Sequence, residues 1–179
     1  MKKKIIYLAA GYAELLTYDN NDFDITYQDK FIKRDLGGDM LQVPLENYDI
    51  LIATPPCNYY SRANYRRETS AYSQKTKHLL PEIIKKFKET GKPFIVENVI
   101  NKTLMSKIIK DNSDIYYFEH GRHSYFTNID MSEYIKDIPQ ISDDIQNKSK
   151  KQRQGGFNVN IVLTYFIYDL INKEYRKKR

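Results

Sequence analysis

Apolar residues in this chain gather in short runs separated by longer amphipathic stretches. Lys4 to Ala10, reading Ile5-Ile6-Tyr7-Leu8 at its centre, predicts a buried first strand. A short helix from about Tyr12 to Tyr18 and a second strand from Phe23 to Gln28 follow. Tyr48 to Ala53 is a compact β-rich run that stops at Thr54-Pro55-Pro56, because proline cannot continue a ladder; it predicts a central strand with a loop at its C-terminal end. From Gln74 to Thr90, Leu79, Leu80, Ile83, Ile84 and Phe87 recur at three- and four-residue intervals and place one apolar stripe on a helix that Gly91 terminates. Lys92 to Asn98 reads as the next strand, ending in the polar pair Glu97-Asn98. Tyr116 to Phe118 and His123 to Thr127 read as later strands, and Val159 to Lys173 as a closing helix with a basic tail from Arg176 to Arg179. Alternating strands and helices imply an α/β fold, a sheet with helices on both faces, and such sheets bind ligands beyond the C-terminal ends of their strands.

Composition narrows this reading. The chain has 179 residues, no internal repeat and no shift in composition that would mark a linker, so residues 1–179 are expected to form one domain. Its 41% hydrophobic and 13% aromatic content excludes a disordered or collagenous chain, and one cysteine excludes a disulfide framework. The longest apolar stretch, Ile161 to Tyr168, is broken by Thr164 and falls far short of the ~18 residues of a membrane span. Lys2-Lys3-Lys4 ahead of an apolar run could open a secretory leader, but Gly11, Tyr12 and Glu14 arrive too soon. A cytoplasmic, reducing setting with a free thiol is therefore expected. His78, His120 and His123 form no ligand spacing with the single cysteine, so no metal site is expected. The sequence contains no Gly-Lys-Ser/Thr phosphate loop.

The predicted strand ends collect Gly11, Asp29, Thr54-Pro55-Pro56-Cys57 and Glu97-Asn98. A lone cysteine is most often a small buried hydrophobe, yet Cys57 sits on a Pro-Pro loop. With Arg62, Arg66 and Arg67 just downstream, its thiol is expected to ionise more readily than usual and act as a nucleophile. Glu97 reads either as a solvated or salt-bridged carboxylate or as a rim carboxyl that burial keeps protonated. Asp29, eighteen residues past Gly11, reads equally as an acid that reaches ribose hydroxyls or as a solvated turn aspartate. Arg62, Arg66 and Arg67 alternate with Tyr59, Tyr60, Tyr65 and Tyr72, a mixture suited to phosphate contact and base stacking. The net charge is +6, and Lys148, Lys150, Lys151 and Arg153 form a further basic cluster, as does the tail.

The spelling of these segments resembles the DNA cytosine-5 methyltransferase family. Thr54-Pro55-Pro56-Cys57 is similar to its Pro-Cys nucleophile loop, and Phe94-Ile95-Val96-Glu97-Asn98-Val99 to its Glu-Asn-Val strand, in the same order and about forty residues apart. Gly38-Asp39-Met40 resembles the motif whose Asp meets the adenine of S-adenosylmethionine. Leu8-Ala9-Ala10-Gly11-Tyr12-Ala13 occupies the place of the Gly-rich cofactor loop, but keeps only one of its glycines. Gly121-Arg122-His123-Ser124-Tyr125-Phe126-Thr127-Asn128 is similar to the arginine motif, and Gly156-Phe157-Asn158-Val159 to the last motif. Between Asn128 and Gly155 fewer than thirty residues stand where full-length members carry a target-recognition domain. The chain in this respect resembles small phage-type homologues that lack that domain.

The resemblance implies a Rossmann-like class I methyltransferase sheet and methyl transfer from S-adenosylmethionine to cytosine C5. Cys57 would add to C6, Glu97 would hold N3 and the exocyclic amine, Asn98 would orient the loop, and Arg122 would contact base or phosphate. Leu8, Ala10, Gly11, Asp29, Asp39, Met40, Pro55, Asn158 and Val159 would surround the cofactor. The partner would be DNA, either single-stranded or a duplex with the target base flipped, met by Arg62, Arg66, Arg67, Tyr60 and Tyr65, with a separate protein as a possible source of sequence specificity. Two other readings stand beside it. One is a non-catalytic module on the same fold that occupies DNA or a partner protein. The other, an amino-methyltransferase, is disfavoured by Thr54 before and Cys57 after the Pro-Pro pair.

Overall fold

The computed structural model describes residues 2–15, 23–139 and 157–177, with side chains in the last segment described for 159–170. Six strands form one mixed sheet: β1 (Lys3–Leu8), β2 (Phe23–Tyr27), β3 (Ile50–Ala53), β4 (Phe94–Val99), β5 (Tyr116–His120) and β6 (His123–Thr127), in the order β2-β1-β3-β4-β6-β5. The first four run parallel, and β6 pairs antiparallel with both β4 and β5. The helices are α1 (Ala71–Thr76), α2 (Leu79–Thr90), α3 (Lys102–Asp111), α4 (Ser132–Ile135) and α5 (Phe157–Lys177). This is the α/β arrangement that the alternation predicts, with the Rossmann-like sheet that the resemblance implies.

The sheet is buried on both faces, which is why its central strands are apolar throughout instead of alternating with polar residues. Ile5, Tyr7, Ile50, Ile52, Ile95 and Tyr125 pack under Val162, Leu163, Phe166 and Ile167 of α5. Ile6, Leu8, Leu51, Ala53, Phe94, Val96 and Phe126 face the opposite way, against Leu80, Ile83, Ile84 and Phe87 of α2 and Met105 and Ile108 of α3. Because β1 feeds β2 on one side and neighbours β3 on the other, a crevice opens beyond the C-terminal ends of β1 and β3. The Ala9–Tyr12 and Thr54–Cys57 segments emerge there.

Several elements differ from the sequence expectation. Tyr12 belongs to a turn and residues 13–15 carry no regular structure, while the rest of the helix expected from Tyr12 to Tyr18 lies outside the described residues. The helix expected from Gln74 to Thr90 is two, broken at Lys77-His78. Pro81 accounts for the break, since a proline ring clashes with the carbonyl four residues earlier, here that of Lys77. That freed carbonyl accepts a hydrogen bond from the Tyr60 hydroxyl at 2.8 Å. Helix α3 is also additional, started by the Asn101 side chain, which accepts from Leu104 N at 3.3 Å. Among the described residues no helix is long and apolar enough to cross a membrane, and no cluster of His, Cys, Asp and Glu could hold a metal ion.

Candidate active site

The loop after β1 is a strained turn held from three sides. Ala9 has φ +53° and Gly11 φ +57°, the left-handed region that an alanine occupies only under constraint. The constraint is Gln28, a buried residue just past β2. Its Oε1 accepts from Ala9 N at 3.0 Å, its carbonyl accepts from Ala10 N at 3.0 Å, and its Nε2 donates to the Gly38 carbonyl at 2.7 Å. Asp29 accepts from Gly11 N at 2.9 Å through Oδ2 and from Phe31 N and Ile32 N at 2.8 and 2.9 Å through Oδ1. Three backbone donors thus occupy most of its acceptor capacity, and the carboxylate bridges two loops instead of standing in solvent.

The loop after β3 is fixed as firmly. Thr54 donates from Oγ1 to the Ala9 carbonyl at 2.9 Å, which joins the two loops. Asn98, fully buried in β4, donates from Nδ2 to the Pro55 carbonyl at 3.1 Å. Asn101 donates to the Tyr60 carbonyl at 2.9 Å, and Ser61 N closes a turn on the Cys57 carbonyl at 2.8 Å.

These loops wall a cleft of about 520 Å³ lined by Ala10, Gly11, Asp29, Pro55, Cys57, Glu97, His123, Val159 and Asn160, among others. A second cleft of about 490 Å³, lined by Gln28, Asp29, Asp39, Met40 and Leu79, shares Ala9, Asp29, Phe31, Pro56 and Tyr72 with the first. Cys57 and Glu97, from different strand ends, therefore face one space. Burial pushes the Cys57 thiol up, and the Glu97 charge pushes it further. This reverses the expectation of an acidified thiol, because burial dominates and no arginine offsets it. Arg67 is turned inward, donating to the Tyr59 and Ser61 carbonyls at 3.0 and 2.9 Å, and Arg62 and Arg66 are exposed.

Glu97 is not solvated. Its Oε1 lies 2.6 Å from Nδ1 of His123, with side-chain exposures of 10% for the glutamate and 21% for the histidine. In the β4–β6 register Glu97 stands opposite Tyr125 and Val99 opposite His123, so acid and histidine meet as diagonal neighbours on one face. Beneath them burial raises the Tyr7 and Tyr125 hydroxyls, with the Glu97 charge adding to both.

The remaining sequence candidates divide. Asp39 caps a 3-10 turn through Leu41 N at 3.0 Å, lies 3.6 Å from Lys30 Nζ and faces the second cleft with Met40. Leu8 is a core residue whose side chain packs against the α2 face, so it cannot touch a cofactor except through its backbone. Tyr60, 3% exposed, is likewise core and cannot stack on a base, and Arg67, half-buried, commits Nε and Nη2 to carbonyls of its own loop. Tyr65 is 83% exposed with Arg66 5.4 Å over its ring. Arg122 is exposed on the β5–β6 turn and is not among the residues lining the cleft. Its carbonyl accepts from Ile100 N at 3.1 Å. The side chain of Asn158, the 148–153 basic cluster and the side chains of the C-terminal tail lie outside the described residues.

Sequence reasoning passes over Gln28 and Asn160, and weighs His123 only as a metal ligand, which it rejects. Asn160, 8% exposed in the first turn of α5, lines the first cleft and has a buried Oδ1 with no hydrogen-bond partner among the described residues. A buried acceptor left open beside a cleft is where a donor from a ligand fits.

The family model for the C-5 cytosine-specific DNA methylase matches residues 10–111, which include the Gly11 turn, the Pro-Pro-Cys loop and the Glu-Asn-Val strand. It ends before Arg122 and the last motif. No curated protein matches the chain. With more than half of its length matched and with a Rossmann-like sheet beneath those motifs, the chain belongs to the C-5 cytosine-specific DNA methylase family and is a DNA methyltransferase-like enzyme.

Proposed function

We propose that the chain methylates cytosine C5 in DNA, with Cys57 as nucleophile and Glu97 as acid. The observation that supports it most is the single cleft walled by both residues, continuous with the strained Gly11 turn. Cytosine C5 is too weak a nucleophile to take a methyl group unaided. A thiolate from Cys57 adding to C6 pushes an electron pair through C5 toward N3, and a proton delivered by Glu97 to N3 neutralises the charge as it develops. Asn98, bonded to the Pro55 carbonyl, keeps the sulfur loop in register with the acid. The cleft lies among buried residues, so a stacked base must be flipped or already single-stranded. Arg62, Arg66 and Tyr65 stand exposed on the loop that follows Cys57 and would meet the strand.

Family members use S-adenosylmethionine, and the residues here fit it. Asp29, Asp39 and Met40 line the cleft suited to the adenosine end. Ala10, Gly11, Pro55, Val159 and Asn160 line the other, where the open Oδ1 of Asn160 suits an ammonium donor. When bound there, the cofactor supplies an electrophilic methyl group to C5. A separate protein for sequence selectivity is consistent with the short interval from Asn128 to Gly155.

The raised Cys57 thiol favours a second reading, a non-catalytic module that binds DNA or a partner. One experiment separates them. Cys57→Ser should lose transfer of label from radiolabelled S-adenosylmethionine to DNA while calorimetry still registers cofactor binding. Equal incorporation by both proteins overturns the thiolate mechanism, and absence of binding heat for the unaltered chain favours the module.

A further inference from the structure

We propose that His123 is a positioning residue for Glu97, which commits one carboxyl oxygen as an acceptor and leaves the other to carry the proton to the base. This inference rests on the proposed methyl transfer and adds a residue to it. A carboxyl that recognises cytosine must do two different things at once: one oxygen accepts from the exocyclic amine, and the other donates to N3. The two oxygens of a free carboxyl are equivalent, so something has to distinguish them. Here Nδ1 of His123 lies 2.6 Å from Oε1, while among the described residues Oε2 takes no side-chain hydrogen bond. Oε1, receiving the Nδ1 hydrogen, keeps a lone pair for the amine, and the acid proton belongs on Oε2.

The placement also gives the proton a route. The histidine is about twice as exposed as the carboxyl it holds and lines the cleft, so the imidazole connects a mostly buried acid with solvent. The Nδ1 hydrogen stays in the contact with Oε1, and the acid proton is carried on Oε2. As the Cys57 sulfur bonds to C6 and the C5–C6 π pair shifts toward N3, the Oε2 proton passes to N3. It returns when the thiolate is expelled, and no net proton is consumed by the pair. The other titratable groups around Glu97 are Tyr7 from β1, Cys57 from the loop after β3 and Tyr125 from β6, while Tyr12, Asp29 and Tyr72 stand at the cleft wall.

The test uses the full chain and oligonucleotides of random sequence tritiated at cytosine C5. Addition at C6 makes C5 exchange its hydrogen with solvent, so tritium release reports the first step without added cofactor. His123→Ala is expected to lower the turnover of release on the order of 10–100-fold, with KM nearly unchanged, because the acid is misplaced and not absent. His123→Asn, whose Nδ2 can stand where Nδ1 stood, is expected to recover most of that loss. Equal impairment of the Ala and Asn variants, or none in either, overturns the proposal. A low-field Nδ1 proton resonance of the free chain, lost in Glu97→Gln, checks the contact independently of any substrate. If that resonance is present and behaves so but the unaltered chain releases no tritium, the methyl-transfer reading fails while the contact stands; if the resonance survives Glu97→Gln, the positioning role fails.

Discussion

Replacing Gln28 by methionine removes no charge and little volume, yet it should both destabilise the chain and weaken cofactor binding. The side chain is buried and satisfies two backbone groups, Ala9 N at 3.0 Å and the Gly38 carbonyl at 2.7 Å. Methionine reaches both and bonds to neither. Ala9 is half-buried and Gly38 exposed, so water recovers part of what is lost, and the two bonds together are worth about 1–3 kcal/mol. For a domain of this length each kcal/mol lowers Tm by about 2–4 °C, which gives a drop of roughly 3–10 °C. Function should suffer by a separate route. Ala9 holds φ +53° at an intrinsic cost of about 1–2 kcal/mol, and the Gln28 bonds are what keep it there. Released, the residue returns to negative φ and re-aims the Gly11 turn that walls the first cleft. Thermal melts followed by circular dichroism give the first number, and calorimetry with S-adenosylmethionine gives the second. A variant that melts within about 2 °C of the parent, or that binds cofactor unchanged despite a lower Tm, would refute the clamp.

Two further outcomes follow from the ionisable groups. Burial raises the Cys57 thiol and the Glu97 charge adds to the effect, so Glu97→Gln should lower it; the rate of Cys57 alkylation by iodoacetamide against pH should move to lower pH, and superimposable curves would contradict the coupling. Tyr60 is raised from 10.0 to about 12 by burial, so the stability it contributes is complete below pH 10 and is lost as pH rises through about 12. Tyr60→Phe should cost about 1 kcal/mol at neutral pH through the lost bond to the Lys77 carbonyl, while its stability should fall less steeply between pH 10 and 12 in urea titrations.

What the sequence carries plainly is the set of strand ends. The apolar runs at Ile5–Leu8, Ile50–Ala53 and Phe94–Val96 are buried on both faces, and a run that stops at Pro-Pro or at Glu-Asn announces its own C-terminal loop. Helix α3 is also written there, with Asn101 as cap and Leu104, Met105 and Ile108 at helical spacing, although the polar residues between them blur the pattern. The Glu97–His123 pair is harder to see because it depends on the register of an antiparallel strand. Once β6 is paired with β4 through Val99↔His123, position 123 joins position 97 on one face; a slip of one residue would turn it away. Tyr60 and Arg67 mislead for a related reason. Their side-chain types suit nucleic acid, but whether a loop residue faces outward is decided by backbone carbonyls, those of Lys77, Tyr59 and Ser61, whose availability no residue type reveals.

The break between α1 and α2 joins these local facts to the site. Pro81 denies the Lys77 carbonyl its helical partner, and a carbonyl left open near the core demands another donor. Tyr60 supplies it, and Asn101, at the start of α3, grips the backbone of the same tyrosine at 2.9 Å. The Cys57 loop is thereby pinned at Pro55 by β4, at Tyr60 by the helix break and α3, and at Tyr59 and Ser61 by Arg67. A loop tied at so many points cannot move its sulfur far to meet a base. On the proposed mechanism the base must come to the sulfur, and the Arg67 charge is used inward to hold the loop still. The charge that then governs the thiol is that of Glu97, so a proton on the acid is also what favours ionisation of the nucleophile. The two groups act as one device, because each unit of charge removed from the carboxyl lowers the cost of placing one on the sulfur.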